Sequence, residues 1–294
     1  MPRGDAGQMK KRMAARLACP ACHGKLGYAG TTAGGRLVDG EFTCPFGHLF
    51  QVKGEVPLLK EARLSGGEFS WKVNIPDVAK YDRIRRRYAS YLPDGLVEAD
   101  GRLVRSLAAL GSESEWAVDV ASGMGTLVLV MAKRLRAGGI LATDVDEAPL
   151  RGAMQKLRAD GSYGRVSLCV MDAKHMAVAT GVAPLATSYF GFDNVPDAGA
   201  AFAEARRILL PRGKLLFSAT FLRRGSRSLR KARELGLGDT LSRASLMGTL
   251  ERAGFAADEV EEFYEGRWTR NPMDLLPFEG DWFTHALVSA HKKA

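Results

Sequence analysis

From about residue 115 onward, short apolar runs alternate with longer amphipathic stretches. The apolar runs read as strands at Trp116–Val120, Gly139–Thr143, Val166–Met171, Leu185–Tyr189, Lys214–Thr220, Ala256–Phe263 and Trp282–His291. Between them, 3.6-residue periodicity predicts helices at Leu127–Leu135, Ala148–Ala159, Ala198–Leu210 and Ser242–Ala253. Strands alternating with helices of this length predict a mostly parallel sheet covered on both faces. The last two strands are joined without a clear helix. The expected fold is therefore α/β, a seven-stranded, mostly parallel Rossmann-like sheet.

Ahead of this body the pattern changes. Residues 61–110 read as a helical connector or lid, with helices at Tyr81–Tyr91 and Leu96–Leu110. Residues 1–15 read as a disordered basic tail. Residues 16–60 hold two short knots, Cys19-Pro-Ala-Cys22 and Cys44-Pro-Phe-Gly-His48, separated by a spacer rich in glycine. The body is expected to span 111–294.

A Cys-x2-Cys turn presents two thiolates from one tight loop, and Cys44 and His48 supply two more donors. Four N/S ligands without an open position suit a structural zinc site. The expected ligands are Cys19, Cys22, Cys44 and His48. His23, directly after Cys22, is the rival fourth ligand but would have to turn back sharply. The other readings are a redox pair, which lacks a surrounding thioredoxin-like βαβ unit, and a former zinc site that no longer binds metal. Cys169 lies in an expected core strand and reads as a small buried hydrophobe.

Composition narrows the setting rather than the chemistry. The chain has 294 residues, 46% hydrophobic and 26% charged, with a formal charge of +9. That charge permits an anionic partner without requiring one. The longest apolar run, Leu127–Ala132, is far too short to span a bilayer. The first 18 residues lack a signal-peptide apolar core. A cytoplasmic protein is expected, in which clustered cysteines favour metal over disulfides.

The segment Asp119-Val-Ala121-Ser122-Gly123-Met-Gly125 runs from a strand into a helix. Glycines at such a turn let the backbone approach a ligand. The dinucleotide pattern is incomplete, because Val128 stands at its third glycine, and no Gly-Lys-Ser/Thr follows for a P-loop. The segment resembles motif I of class I S-adenosylmethionine-dependent methyltransferases, with Ala121 at the first glycine position. Thr143-Asp144-Val145-Asp146, Val170-Met171-Asp172-Ala173, the stretch Ser188–Asp197 and Glu204-Ala-Arg-Arg207-Ile-Leu-Leu-Pro211 follow in family order. The resemblance implies that S-adenosylmethionine is held by Asp119, Ala121, Ser122, Gly123, Gly125, Asp144, Val145, Asp172, Ala173 and Ser188. Within that set it puts Asp144 on the ribose hydroxyls, and Asp172 and Ala173 on the adenine. Asp146 is expected to cap the next helix. Phe50-Gln-Val-Lys-Gly54-Glu-Val-Pro57-Leu58-Leu59 resembles the zinc-ribbon leader of some bacterial methyltransferases. It also resembles the three-Cys, one-His leader of rRNA guanine-N1 methyltransferases.

A sulfonium methyl is already electrophilic, so a general base is needed only when the acceptor arrives protonated. His175, Tyr189, Asp193 and His285 are the candidates. The Asn/Asp-Pro-Pro-Tyr/Phe motif of amino-group base methyltransferases is absent, with Ser188-Tyr-Phe-Gly in its place. Two arginine-rich clusters, 83–87 and 223–233, read either as a surface for an anionic acceptor or RNA, or as solvated helix faces. The preferred expectation is methyl transfer to a small molecule of quinone or natural-product type. The alternatives are an rRNA base methyltransferase whose zinc knot grips RNA, and a cofactor-binding protein without catalysis.

Overall fold

Strands β5 (Ala117–Asp119) and β6 (Ile140–Asp144) are buried at every position, the signature of parallel strands covered on both faces. The computed structural model describes residues 12–60, 75–135 and 138–293. The remaining body strands are β7 (Val166–Val170), β8 (Ala183–Tyr189), β9 (Leu209–Leu222), β10 (Phe255–Arg267) and β11 (Trp282–Lys292). They form one seven-stranded sheet in the order β10-β11-β9-β8-β5-β6-β7. Strands β5 to β9 are mutually parallel, and β11 runs antiparallel between β9 and β10. The seven-strand α/β expectation holds.

Side-chain alternation splits the core into two layers. Ala117, Ile140, Ala142, Val166, Leu168 and Val170 point to one face. There they meet helices α2 (Leu96–Leu110), α3 (Thr126–Arg134) and α4 (Glu147–Ala159). Val118, Val120, Leu141, Cys169 and Met171 point to the other, against α5 (Ala198–Ile208) and α7 (Arg243–Arg252).

Residues 27–57 form their own antiparallel sheet, β1 (Gly27–Ala33), β2 (Arg36–Thr43), β3 (Leu49–Lys53) and β4 (Val56–Pro57). Its inner side chains Phe42, Phe50 and Val52 join the same apolar cluster as Val118 and Phe217, so the two sheets share a core. Backbone bonds stitch the join. Ala18 N–H donates to Ala177 O at 3.1 Å, and Leu59 N–H donates to Val170 O at 2.8 Å.

Several expectations change. Residues 12–15 are not tail, because Met13 is 3% exposed and sits in the shared core; residues 1–11 of the expected tail lie outside the described residues. So does 61–74 of the connector. Its second helix, α2, is no connector: Leu103 and Leu107 pack into the sheet's core. Its first, α1, runs Val78–Ala89, started by Asp77, whose carboxylate accepts from Lys80 N–H. Helix α5 stops at Ile208, and strand β9 begins at Leu209 because Leu209 pairs with Ala183. The pairing then jumps to Leu185 with Lys214 across an irregularity, with Arg212 at φ 59°. Within the second arginine-rich cluster, read either as a surface for an anionic acceptor or RNA or as a solvated helix face, a short helix, α6 (Arg227–Glu234), forms; Ser226 caps it.

Candidate cofactor site and metal centre

Strand β5 ends in Asp119, and the chain turns through Ala121, Ser122, Gly123 and Gly125 into α3. Positive φ angles of 51° at Ala121, 53° at Gly123 and 74° at Gly125 make the turn. Glycine adopts this conformation freely. Ala121, with its Cβ, carries a cost of about 1 kcal/mol there. Ser122 ties the loop to the next strand: its N–H donates to Thr143 O at 2.7 Å, and its hydroxyl accepts from Thr143 N–H at 3.1 Å.

Three acids stand at the carboxyl ends of three neighbouring strands. Asp119 is level with Ala142, and Asp144 with Val170. Asp144 and then Asp172 therefore each stand two residues further along than the acid before. Asp119 Oδ1 accepts from the Thr187 hydroxyl at 2.7 Å. Asp144 accepts from Gly123 N–H at 2.8 Å on one oxygen and from Asp146 N–H at 3.0 Å on the other. The Val145 backbone N–H also supports the charged form, and a carboxylate offers about four lone-pair positions, so acceptor capacity remains for a diol hydroxyl. Burial pushes the Asp119 and Asp144 carboxyls up to about 6, against the hydroxyl and backbone bonds that favour their charged forms. Asp172 Oδ1 accepts from Lys174 N–H at 2.8 Å in a tight turn, with Ala173 half-buried beside it. The Ser188 hydroxyl donates to Val120 O at 2.8 Å, which fixes the end of β8 against the loop. Asp146 occupies the N-cap position of α4, but its side chain does not make the capping bond expected of it.

Some parts of the site were not legible in the sequence. Helix α1 lies over the glycine loop: the buried Tyr81 hydroxyl donates to Met124 O at 2.7 Å, and Arg85 to the Thr126 hydroxyl at 2.6 Å. Gly191 presses on the loop so closely that a Cβ there would stand 2.4 Å from Ser188 Oγ and 2.7 Å from Ala121 Cβ. Its only signal was a small residue just past a strand end. Lys60, from the metal module, donates to Val145 O at 2.8 Å.

The four base candidates part company. His175 is exposed beyond Asp172. Asp193 is buried, with Oδ2 accepting from Thr220 N–H at 2.7 Å, and burial pushes its carboxyl up to about 7. Tyr189 is half-buried, with its hydroxyl raised by burial and by Asp100. His285 is 6% exposed, its Nδ1 2.8 Å from Asp100 Oδ1. Phe190 lies between the last two, its ring 4.7 Å from that of Tyr189 and 4.4 Å from that of His285.

In the metal module, the donor atoms of Cys19, Cys22, Cys44 and His48 all lie within 4.8 Å of one another. Cys22 Sγ is 3.7 Å from Cys44 Sγ, and His48 Nδ1 is 3.5 Å from Cys19 Sγ and 3.2 Å from Cys44 Sγ. Tetrahedral zinc with Zn–S of about 2.3 Å and Zn–N of about 2.0 Å sets edges of roughly 3.5–3.8 Å. Three of the donor pairs therefore stand near those separations. Burial raises the Cys19 thiol to about 11, against the backbone N–H groups of Ala21 and Cys22. Against burial, the backbone N–H groups of His48 and Phe46 lower the Cys44 thiol to about 6, which favours the thiolate that a metal needs. His23 is outside the cluster. Cys169 is fully buried, and burial raises its thiol.

Residues 117–213 match a family profile described as "Methyltransferase domain". A ubiquinone/menaquinone biosynthesis C-methyltransferase of Cupriavidus pinatubonensis is 35% identical over 100 residues, 34% of this chain and 40% of that one. A demethylmenaquinone methyltransferase of Lactobacillus johnsonii is 30% identical over 102 residues, 34% and 42% of the two chains. The match thus spans about two fifths of these relatives' length. Among solved structures, a geranyl diphosphate methyltransferase in complex with S-adenosylmethionine superposes with a TM-score of 0.51 at 15% identity, covering 66% of this chain and 84% of that one. The [4+2]-cyclase SpnF superposes with a TM-score of 0.55 at 20% identity, covering 66% and 80%. These structures share the fold, and the cyclase among them is a reminder that the fold alone does not set the reaction. No helix among the described residues is long and apolar enough to cross a membrane. Residues 117–213 thus match a methyltransferase-domain profile, and the seven-stranded sheet shares its fold with solved methyltransferase structures.

Proposed function

We propose that the chain binds S-adenosylmethionine and transfers its methyl group to a small-molecule acceptor of quinone-like type. The observation that carries this is the Asp144 carboxyl, fixed by Gly123 and Asp146 N–H groups with acceptor capacity to spare. That remaining acceptor capacity fits the hydroxyl donors of a ribose diol. Asp119, Ala121, Ser122, Gly123, Gly125 and Ser188 form the loop side of the cradle, and Val145, Asp172 and Ala173 the adenine side. The bound cofactor supplies an electrophilic methyl. The chain's part is to hold the acceptor in line with it and to exclude water.

The acceptor class rests on the quinone-pathway names of the relatives, which match over 34% of the chain. The RNA alternative draws on the zinc ligand set and on the arginine-rich clusters at 83–87 and 223–233. Cys19, Cys22, Cys44 and His48 would hold zinc as a closed structural site, since all four positions are filled by protein.

The test is transfer from methyl-labelled S-adenosylmethionine to a hydroquinone and, separately, to ribosomal RNA. Label in the hydroquinone product supports the reading. Label in RNA alone overturns the acceptor class, and absence of cofactor binding overturns the reaction.

A further inference from the structure

We infer that His285, held by Asp100, is the general base of this site and takes the proton from a ring hydroxyl of the acceptor. The inference rests on the methyltransferase reading above and adds to it the residue that takes the acceptor's proton.

The pair is built from elements far apart in the chain. His285 lies on β11 opposite Thr220 of β9, and Asp100 lies on α2. A carboxylate only accepts hydrogen bonds, so the 2.8 Å contact puts the ring proton on His285 Nδ1. That leaves the Nε2 lone pair as the basic position, and Nε2 has no hydrogen-bond partner among the described residues. The ring cannot turn freely, because Phe190 stands 4.4 Å away on one side and Phe283 4.9 Å away on another. Phe190 is itself fixed: its N–H donates to the Ser218 hydroxyl at 2.8 Å, and it follows Ser188 by two residues. The base therefore adjoins the strand end that lines the proposed cofactor loop.

The surroundings favour a flat apolar acceptor. Phe283 carries Tyr264 at 5.5 Å and Trp268 at 5.0 Å. Trp268 is 4% exposed, yet its indole N–H has no partner among the described residues. A buried indole N–H normally has one. Tyr88 of α1, Tyr189 of β8 and Tyr264 of β10 are the other titratable groups around Asp100, with Asp274 beside Tyr88. Arg85 adds the nearby positive charge.

The step balances. The acceptor O–H bond breaks, its electron pair stays on the acceptor, and the proton goes to His285 Nε2. The resulting oxyanion, through oxygen or through its ring carbon, bonds to the methyl carbon, and the sulfur keeps the pair of the broken C–S bond. For attack through carbon, the ring proton is lost afterwards to water, or to His285 once it has released the first proton to solvent.

The test uses 4-nitrophenol as probe, because its phenolate absorbs in the visible, and follows its spectrum against pH with the full-length protein. Bound to the wild type, the probe should ionise at lower pH than in free solution. His285→Gln should reduce the bound phenolate fraction at a given pH by about tenfold, consistent with loss of a positioned base. Asp100→Asn should move the ionisation midpoint part of the way, and Asp100→Glu should restore it in part; a purely structural Asp100 would leave the midpoint in place. Affinity for S-adenosylmethionine, measured on the same preparations, should be unchanged in His285→Gln. An identical phenolate fraction in wild type and His285→Gln, or no probe binding to a wild type that does bind S-adenosylmethionine, overturns the inference. Failure of the wild type to bind S-adenosylmethionine overturns the underlying function instead.

Discussion

Leu59 N–H donates to Val170 O at 2.8 Å, so the metal module pairs with the edge strand two residues before Asp172. Lys60, the next residue, reaches Val145 O beside Asp144. The module thus braces the two strand ends proposed to hold adenosine. Removing the metal by chelation, or substituting Cys44→Ser, should lower the melting temperature. It should also weaken S-adenosylmethionine binding by about tenfold, within the usual size of coupling between packed elements. Metal analysis and calorimetry check both. Full cofactor affinity in the metal-free protein would show the brace to be idle.

Asp193 gives the pH dependence of stability a definite sign. Its carboxyl is pushed up to about 7 by burial, and Oδ1 has no hydrogen-bond partner among the described residues. Between about pH 4 and pH 7 the folded chain holds this proton and the unfolded chain does not. Stability therefore falls as pH rises through that window. Asp193→Asn keeps the acceptor for Thr220 N–H and removes the buried charge. We expect it to raise stability at pH 8 by on the order of 2 kcal/mol, and to flatten the pH profile. Urea unfolding at pH 5 and pH 8 reads this out.

Gly191 separates crowding from backbone strain. A Cβ there would lie 2.8 Å from Ala121 O as well as against Ser188. Gly191→Ala should destabilise by about 2 kcal/mol and disturb the cofactor loop. Gly225 has a φ of 80° but open space around it. Gly225→Ala should cost only about 1 kcal/mol and leave cofactor affinity alone. Equal losses of affinity in the two variants would contradict the assigned contact.

The strands and helices of the sheet were legible because burial on both faces writes long apolar runs, as in Ile140–Asp144. The end of α5 was not. Leu209 continues a helical pattern, and only its pairing with Ala183 makes it strand. Helix α2 read as a connector because its apolar stripe does not say which surface it meets. The strand-end acids could be placed from local motifs, whereas Asp100 and His285 meet across 185 residues of chain. Gly191 and Tyr81 act on the loop through tertiary contact, which spacing along the chain does not encode.

Tyr81 offers a direct probe of the helix that covers the loop. Its hydroxyl is buried and bonds Met124 O at 2.7 Å. Tyr81→Phe leaves that carbonyl without its partner while keeping the ring. A loss of about 1 kcal/mol in stability is expected, with faster dissociation of S-adenosylmethionine seen in stopped-flow displacement. Unchanged stability and dissociation would mean that the ring alone holds α1 in place.

The central claim is that the glycine loop and Asp144 form an S-adenosylmethionine site. Calorimetric titration of the metal-loaded protein with S-adenosylmethionine, wild type beside Asp144→Ala, tests it most directly. The account expects one equivalent bound by the wild type and at least about a tenfold weaker affinity in Asp144→Ala, as for loss of a charged acceptor from a buried diol. No binding by the wild type, or equal affinity in the two proteins, would contradict it.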